Sequence, residues 1–115
     1  MTTFVLFGGT GDLAKRKIIP ALYSAFVNGR LDQNFKFIGA AREKLTDEEF
    51  RVRVATAIES YAANVDGATE EKRAAFLATT HYSKIDARIP EDFAALKDSL
   101  QTSETNATLF YLATG

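Results

Sequence analysis

The sequence lacks cysteine and tryptophan, and it has one histidine and two prolines among its 115 residues. Without cysteine the chain has no disulfide bond, no thiol nucleophile and no thiolate ligand for zinc. No apolar run approaches the roughly 20 residues that span a bilayer. Residues 1–3, which precede the first apolar run, include no basic residue of the kind that begins a secretory signal peptide. These absences favour a soluble, cytoplasmic protein with no membrane segment.

An excess of one charge sign is also lacking, since 14 Lys and Arg residues stand against 15 Asp and Glu residues and the formal net charge is -1. A protein that binds nucleic acid through its charge usually has a basic excess, so we expect no nucleic-acid partner. Hydrophobic residues make up 46% of the chain and charged residues 25%, which is the balance of a folded domain rather than a disordered chain. The length suits one domain with one core.

Apolar runs and helical patterns alternate along the chain. Residues 4–7 form a continuous apolar run, which is typical of a strand buried on both faces. Further strands are predicted at residues 35–41, 81–85 and 108–113, with helical spacing between them. The resulting order, β-α-β-α-α-β-α-β, predicts a parallel sheet with right-handed crossovers. Because Gly115 follows a buried-looking strand with no covering helix, we expect the domain to continue beyond it.

Proline and capping residues mark the predicted helices. Pro20 lies within the helical pattern of residues 12–26 and predicts a kink or a second segment, because proline donates no N–H and clashes with the preceding turn. Thr46, with Glu49 three residues later, forms the capping box of the next helix. Pro90 begins the last predicted helix at a first-turn position.

A glycine-rich turn joins the first strand to the first helix. Gly9, Gly11 and Ala14 match the pattern G-x-G-x-x-A. In this pattern the first glycine permits a tight turn, the second lets a pyrophosphate approach the backbone, and the small third residue lets helix and strand pack closely. Free N–H groups and the helix dipole favour the anion. The motif predicts dinucleotide binding, and a glycine-rich turn without a ligand is the alternative.

The end of the second strand bears on which dinucleotide is bound. An NAD site normally has Asp or Glu there to bind the ribose hydroxyls, whereas this chain has Ala40 and Ala41 followed by Arg42, with Glu43 after it. Arginine can pair with a 2′-phosphate and stack on adenine, and such a charged hydrogen bond is worth about 1.5–3 kcal/mol. We therefore expect Arg42 to favour NADP, and a solvated surface arginine is the alternative.

Three other polar features have ordinary structural explanations. Asp12 stands where an acid stabilises the first turn of a helix, and its charge is expected to point away from a phosphate. Residues 15–17 form a basic run of the kind found on solvated helix faces. His81 has no candidate partner in the sequence and is expected to be structural. No metal-ligand cluster and no Ser-His-Asp set is recognisable.

The glycine signature extends well beyond the glycines themselves. Residues 7–20 read F-G-G-T-G-D-L-A-K-R-K-I-I-P and resemble the amino terminus of the glucose-6-phosphate dehydrogenases. Residues 37–42 are similar to that family's second strand and its 2′-phosphate arginine, and residues 106–113 to its fourth strand. The resemblance covers essentially the whole chain and is looser over residues 61–80. It implies an α/β, Rossmann-like, doubly wound parallel sheet in which residues 1–115 are an NAD(P)-binding domain, incomplete at the C-terminus.

The resemblance implies an NADP-dependent oxidoreductase of the oxidative pentose phosphate pathway, which oxidises C1 of glucose 6-phosphate to the lactone and passes the hydride to the nicotinamide. Thr10 and Arg42 match residues that face the adenosine 2′-phosphate. Lys17 matches a lysine near the nicotinamide and the substrate phosphate, and Asp86 and Ala87 match a stretch beside the adenine. The expected cofactor-binding residues are Gly8, Gly9, Thr10, Gly11, Asp12, Leu13, Ala14, Lys15, Arg42, Asp86 and Ala87.

The chain differs from the family at one position of the glycine signature and lacks two of the family's motifs. Gly9 stands where many relatives have alanine, and the extra room is compatible with NADP or NAD. The family's E-K-P segment and its R-x-D-H-Y-L-G-K motif, whose histidine is the general base, do not occur. We therefore expect no catalytic residue and no metal ligand in these 115 residues, and no activity from them alone. Glucose 6-phosphate and homo-oligomer contacts would belong to a further domain.

Two other functions stay open on the sequence. The chain could be a stand-alone dinucleotide-binding module that senses the coenzyme without chemistry, and the gene downstream of Gly115 would distinguish such a module from an enzyme. It could also belong to a different NADP-dependent oxidoreductase of the same fold, because a fold alone does not determine function.

Overall fold

A computed structural model of the chain describes residues 2–31, 35–86, 89–92, 94 and 107–112. In chain order the elements are β1 (Thr2–Phe7), a π-helical turn (Ala14–Ile18), α1 (Ile19–Val27), β2 (Lys36–Ala41), α2 (Asp47–Tyr61), α3 (Glu70–Ala78), β3 (Thr80–Lys84) and β4 (Ala107–Leu112). Helical backbone also begins at Pro90, as predicted. The rest of that predicted helix, from residue 95 onward, lies outside the described residues. Among the described residues, no helix is long and apolar enough to cross a membrane.

The four strands form one parallel sheet in the order β3-β2-β1-β4, which confirms the predicted Rossmann-like α/β sheet. β1 lies in the middle, where Phe7 pairs with Ala40 of β2 and with Leu112 of β4. The chain moves outward from β1 through β2 to β3, and β4 then lies on the other side of β1. In open sheets of this kind, ligands bind beyond the carboxyl ends of the strands where the order reverses. The carboxyl end of β1 is therefore the expected site.

Both faces of β1 are buried, as its apolar run predicts. Leu6 belongs to the larger hydrophobic cluster, which packs under the helices. Val5 and Phe7 point to the opposite face of the sheet, where they form a second cluster with three other buried residues, Ile38, Ala40 and Ile85. The central strand thus has no solvent-exposed face, and its end is held firmly at the expected site.

The larger cluster is built around three fully buried rings, one from each of three elements. Phe37 comes from β2, Phe50 from α2 and Phe76 from α3. The ring centroid of Phe37 lies 6.0 Å from that of Phe50 and 6.2 Å from that of Phe76. Aromatic rings of this size supply much of the apolar surface that a small domain buries. The contacts fix α2 and α3 against the middle of the sheet.

Pro20 begins a second helical segment, which is one of the two outcomes predicted for it. It lies in the first turn of α1, directly after the π-helical turn. At the junction the backbone N–H of Ile19 donates to the carbonyl oxygen of Ala14, five residues earlier. The wider turn accommodates a proline that donates no N–H and whose ring would clash with the carbonyl group four residues earlier. The sequence indicated a discontinuity at this point but not its π-helical form.

The predicted capping box begins α2. The Thr46 hydroxyl oxygen accepts from the backbone N–H of Glu49 at 3.1 Å, and Glu49 Oε1 accepts from the backbone N–H of Thr46 at 2.9 Å. Two N–H groups that the helix itself cannot satisfy are thereby paired. The box fixes the start of α2 immediately after the loop that follows β2.

Candidate functional site

Backbone hydrogen bonds close the turn that follows β1. The N–H of Gly8 donates to the carbonyl oxygen of Ala40 at 2.7 Å, and the N–H of Gly11 donates to that of Gly8 at 2.9 Å. Gly8 has a φ of 79°, in the left-handed region that favours glycine. The motif predicts that the tight turn depends on Gly9, and the structure corrects this, because the residue in the left-handed region is Gly8.

Gly9 is a glycine for a different reason. A Cβ on Gly9 would lie 3.1 Å from the Cα of Gly39 and 3.3 Å from the carbonyl oxygen of Leu6, which is tighter than ordinary van der Waals contact. The turn therefore packs backbone to backbone against β2. The space where a Gly9 side chain would lie is occupied by Gly39. Having glycine here, where many relatives have alanine, therefore leaves no extra room for a coenzyme.

Ala14, the small third residue of the motif, has the packing role predicted for it. It is fully buried and belongs to the same cluster as Leu6 of β1. A larger side chain here would push the helix away from the sheet. The other residues of the π-helical turn are exposed or half-buried, so Ala14 is its point of attachment.

The start of the helix presents free backbone donors. Within the described chain, the N–H groups of Thr10, Asp12 and Leu13 have no protein acceptor. First-turn N–H groups of a helix are normally left over in this way, and together with the helix dipole they attract anions. Since they lie beyond the carboxyl end of β1, the surface fits the phosphate groups of a dinucleotide.

The charged side chains of the first helix point outward. Asp12 Oδ1 accepts a hydrogen bond from Arg16 Nε at 3.1 Å, and both side chains are exposed. Arg16 lies one helical turn after Asp12 and neutralises its carboxylate, which agrees with a structural role for Asp12. Lys15 and Lys17 are exposed on the same turn. Neither lysine side chain hydrogen-bonds to another residue in the described part of the chain, so both ammonium groups are available to a ligand.

Arg42 lies directly after β2 and is exposed. Its guanidinium forms no hydrogen bond or ion pair with the rest of the described chain. By contrast, the Glu43 carboxylate is held by Arg53. Arg53 Nη1 donates to Glu43 Oε1 at 2.9 Å, and Arg53 Nη2 donates to Glu43 Oε2. The hydrogen bond from Arg53 lowers the pKa of Glu43, and the positive charges of Arg53 and Lys15 lower it further. The acid beside Arg42 is therefore paired, and the Arg42 guanidinium is free.

Tyr82 holds the backbone on both sides of Arg42. Its hydroxyl group donates to the carbonyl oxygen of Ala41, at 3.2 Å, and to that of Glu43. Burial raises the pKa of Tyr82, and the nearby negative charge of Glu43 raises it further. No pattern in the sequence indicates that Tyr82 and Arg53 belong to this site. The one available signal, an aromatic residue in β3 opposite Gly39, becomes visible only when the strand register is known.

The end of β3 lies beside the end of β2. The backbone N–H of Ile85 donates to the carbonyl oxygen of Ala41 at 2.8 Å, which brings Asp86 to the same edge of the sheet as Arg42. The backbone N–H of Asp86 donates to Asp92 Oδ2 at 3.1 Å. Ala87, the other residue expected beside the adenine, lies outside the described residues.

His81 has a partner after all, and the partner is on α2. Its Nδ1 lies 3.3 Å from Asp47 Oδ2, and Arg51 Nη2 lies 3.5 Å from the same nitrogen. Burial raises the pKa of Asp47, but hydrogen bonds from the Tyr82 backbone N–H and from His81 outweigh it, and the net pKa is lowered. The cluster joins the start of α2 to β3, which agrees with a structural role for His81.

The chain matches the model of a known protein family over nearly its whole length. The model described as "Glucose-6-phosphate dehydrogenase, NAD binding domain" matches residues 5–115. The glucose-6-phosphate 1-dehydrogenase of Rhizobium meliloti is 34% identical over 114 residues, which cover 97% of this chain and 23% of the relative. That of Schizosaccharomyces pombe is 36% identical over 113 residues, which cover 95% of this chain and 22% of the relative.

Solved structures agree with the sequence comparisons. One of them is described as glucose-6-phosphate dehydrogenase in complex with its substrate glucose-6-phosphate. It matches with a TM-score of 0.82 and 29% identity, and the match covers 99% of this chain and 24% of the solved chain. The Mycobacterium avium glucose-6-phosphate 1-dehydrogenase, at 22% identity and the same TM-score of 0.82, shares the fold. The chain thus spans less than a quarter of the length of these relatives.

Proposed function

The chain belongs to the glucose-6-phosphate dehydrogenase family, whose NAD binding domain it matches, and on this premise we propose that it is the coenzyme-binding part of an NADP-dependent glucose-6-phosphate 1-dehydrogenase. The whole enzyme would oxidise C1 of glucose 6-phosphate to the lactone and pass the hydride to the nicotinamide. Because the chain spans less than a quarter of its relatives' length, we propose that substrate binding and proton abstraction require residues beyond these 115. The cytoplasmic location and the homo-oligomeric state stay predictions from the sequence.

The pyrophosphate would bind at the turn after β1. Free N–H groups of Thr10, Asp12 and Leu13 support this assignment, since they can donate to phosphate oxygens. Gly11 supports it as well. Gly11 does not have a positive φ, so its backbone conformation does not require a glycine. Close approach of a phosphate to the backbone would require one, because a side chain would block it. The turn itself is shaped by Gly8, Gly9 and Ala14 on the side that packs against the sheet.

The observation that carries the choice of NADP is the free guanidinium of Arg42 beside a paired acid. Where an NAD site has a carboxylate for the ribose hydroxyls, this chain presents a positive charge, and the acid that follows it in the sequence, Glu43, is bound by Arg53. Such a site favours a 2′-phosphate over a 2′-hydroxyl. In this assignment Thr10 joins Arg42 at the phosphate, Asp86 and Ala87 lie beside the adenine, and Lys15 and Lys17 face the phosphates and the nicotinamide side.

The test is calorimetric titration of the folded chain with NADP and with NAD, beside an assay for reduction of NADP by glucose 6-phosphate. We expect NADP to bind more tightly than NAD, and no reduction by these 115 residues alone. The Gly11→Val variant should lose both coenzymes, because the new side chain occupies the path of the pyrophosphate. Ala74→Val on the exposed face of α3 is the matched control. Absence of binding by a chain whose circular dichroism shows it to be folded would contradict the proposal.

A further inference from the structure

Arg42 is flanked by two backbone carbonyl groups that share one hydroxyl donor. The Tyr82 hydroxyl donates to the carbonyl oxygens of Ala41 and Glu43, the residues immediately before and after Arg42. A phenol has a single proton, so one donor holds both carbonyl groups. The backbone is thus held at the Ala41–Arg42 peptide unit and at the Glu43–Lys44 unit, on either side of the unit that links Arg42 to Glu43.

Tyr82 is itself firmly placed. Its backbone N–H donates to Asp47 Oδ1 at 2.8 Å, its ring centroid lies 5.2 Å from that of Phe50, and its strand pairs it with Gly39. Phe50 is fully buried. The hydroxyl therefore reaches the loop from a rigid part of the core. Burial also keeps the pKa of Tyr82 above its usual value, so the hydroxyl stays a donor at neutral pH.

The side chains around the loop complete the arrangement. Glu43 is turned to Arg53 by two hydrogen bonds, whereas Arg42 has no partner in the described chain. Both neighbours of Arg42 are therefore restrained, and the Arg42 guanidinium is free to bind. A loop ordered in advance avoids the entropy cost of being ordered when the ligand binds.

We propose that Tyr82 is a positioning residue for coenzyme selection, which holds the Ala41–Glu43 backbone so that Arg42 meets the 2′-phosphate of NADP. The proposal rests on the proposed coenzyme-binding function. It predicts that the Tyr82 hydroxyl contributes to the binding of NADP and not to that of NAD, because NAD lacks the 2′-phosphate with which the Arg42 guanidinium would pair. Tyr82 does not touch the ligand in this role and acts through Arg42 alone.

The test is the Tyr82→Phe variant of the chain, titrated with both coenzymes, with Tyr61→Phe as the control that removes an exposed hydroxyl. Loss of one neutral hydrogen bond should weaken NADP binding about three- to tenfold and leave NAD binding within about twofold. In the Arg42→Ala background, Tyr82→Phe should have no further effect on NADP. An equal loss for the two coenzymes, or a loss that persists without Arg42, would assign Tyr82 a general structural role and overturn the proposal.

A second measurement needs no ligand. Hydrogen exchange of the backbone amides at residues 42–44 should be faster in Tyr82→Phe than in the wild type, and unchanged in Tyr61→Phe. Unchanged exchange in Tyr82→Phe would overturn the positioning role whatever the chain binds. If the wild-type chain bound neither coenzyme while Tyr82→Phe still loosened the loop, the proposed function would fail and the positioning of the loop would stand.

Discussion

Gly39 and Phe50 are packed so closely that no side chain fits between β2 and α2 at this point. A Cβ on Gly39 would lie 2.2 Å from Cζ of Phe50, far inside van der Waals contact. The close packing places α2 directly over the carboxyl half of β2. As a result Arg53, which follows Phe50 by about one helical turn, reaches Glu43 in the loop after β2. The geometry around Arg42 thus depends on a glycine in the middle of a strand.

Replacing Gly39 with alanine should destabilise the fold. The Phe50 ring is fully buried and cannot move aside, so we expect Gly39→Ala to lower the free energy of unfolding by about 1–3 kcal/mol, as overpacking of a core does. Urea denaturation measures the change. The double variant Gly39→Ala with Phe50→Leu should recover part of the loss if the clash is the cause. A Gly39→Ala chain as stable as the wild type would show that the interface can relax.

Stability should fall in acid through Asp47. Its pKa is lowered in the folded state by the Tyr82 backbone N–H and by His81, which outweigh burial. A carboxyl group with a lowered pKa stabilises the fold at pH values above its unfolded pKa of about 3.9, and this contribution is lost as the pH falls through the folded pKa. The difference in unfolding free energy between wild type and Asp47→Asn should therefore shrink as the pH falls below about pH 4.

The neighbouring Thr46→Ala variant is the control for that pH dependence. It removes the capping hydroxyl and should cost about 1 kcal/mol, but it removes no titrating group, so its cost should change little with pH. Denaturant unfolding at a series of pH values gives both differences. If the Asp47→Asn difference stayed the same down to pH 3, the lowered pKa would not contribute to stability.

Freeing Glu43 should weaken NADP binding. Arg53→Met removes the partner of Glu43 and leaves an unpaired carboxylate beside Arg42, which would compete with the 2′-phosphate. Because both side chains are partly exposed, we expect a modest loss of NADP affinity, roughly two- to fivefold, with NAD little affected. Adding Glu43→Gln should restore the affinity. Arg73→Met, which breaks an ion pair with Glu59 on another surface, is the matched control and should leave both affinities unchanged.

Local sequence signals predicted much of the fold. The buried run at residues 4–7, the capping box at Thr46 and the glycine pattern each act over a few residues, so their consequences are visible without the rest of the chain. The same signals placed Arg42 at the end of a strand. The pattern predicts that Gly9 permits the tight turn, whereas Gly8 has the positive φ, because the pattern does not distinguish which of two adjacent glycines makes the turn.

The contacts around Arg42 could not be predicted in the same way. Tyr82 meets the carbonyl groups of Ala41 and Glu43 across about 40 residues of sequence, and Arg53 meets Glu43 across ten. These contacts follow from the strand register and from the packing of α2 on β2, and no short motif encodes either. The partner of His81 is not visible in the sequence for the same reason, since Asp47 lies on a different element.

The central claim is that Arg42 selects NADP, and calorimetric titration of Arg42→Ala with NADP and NAD tests it most directly. Loss of a charged hydrogen bond should weaken NADP binding roughly 10- to 150-fold and leave NAD binding within about twofold. Lys44→Ala, which removes another exposed cation two residues away, should change neither. If Arg42→Ala weakened both coenzymes equally, or left the preference for NADP intact, Arg42 would not read the 2′-phosphate.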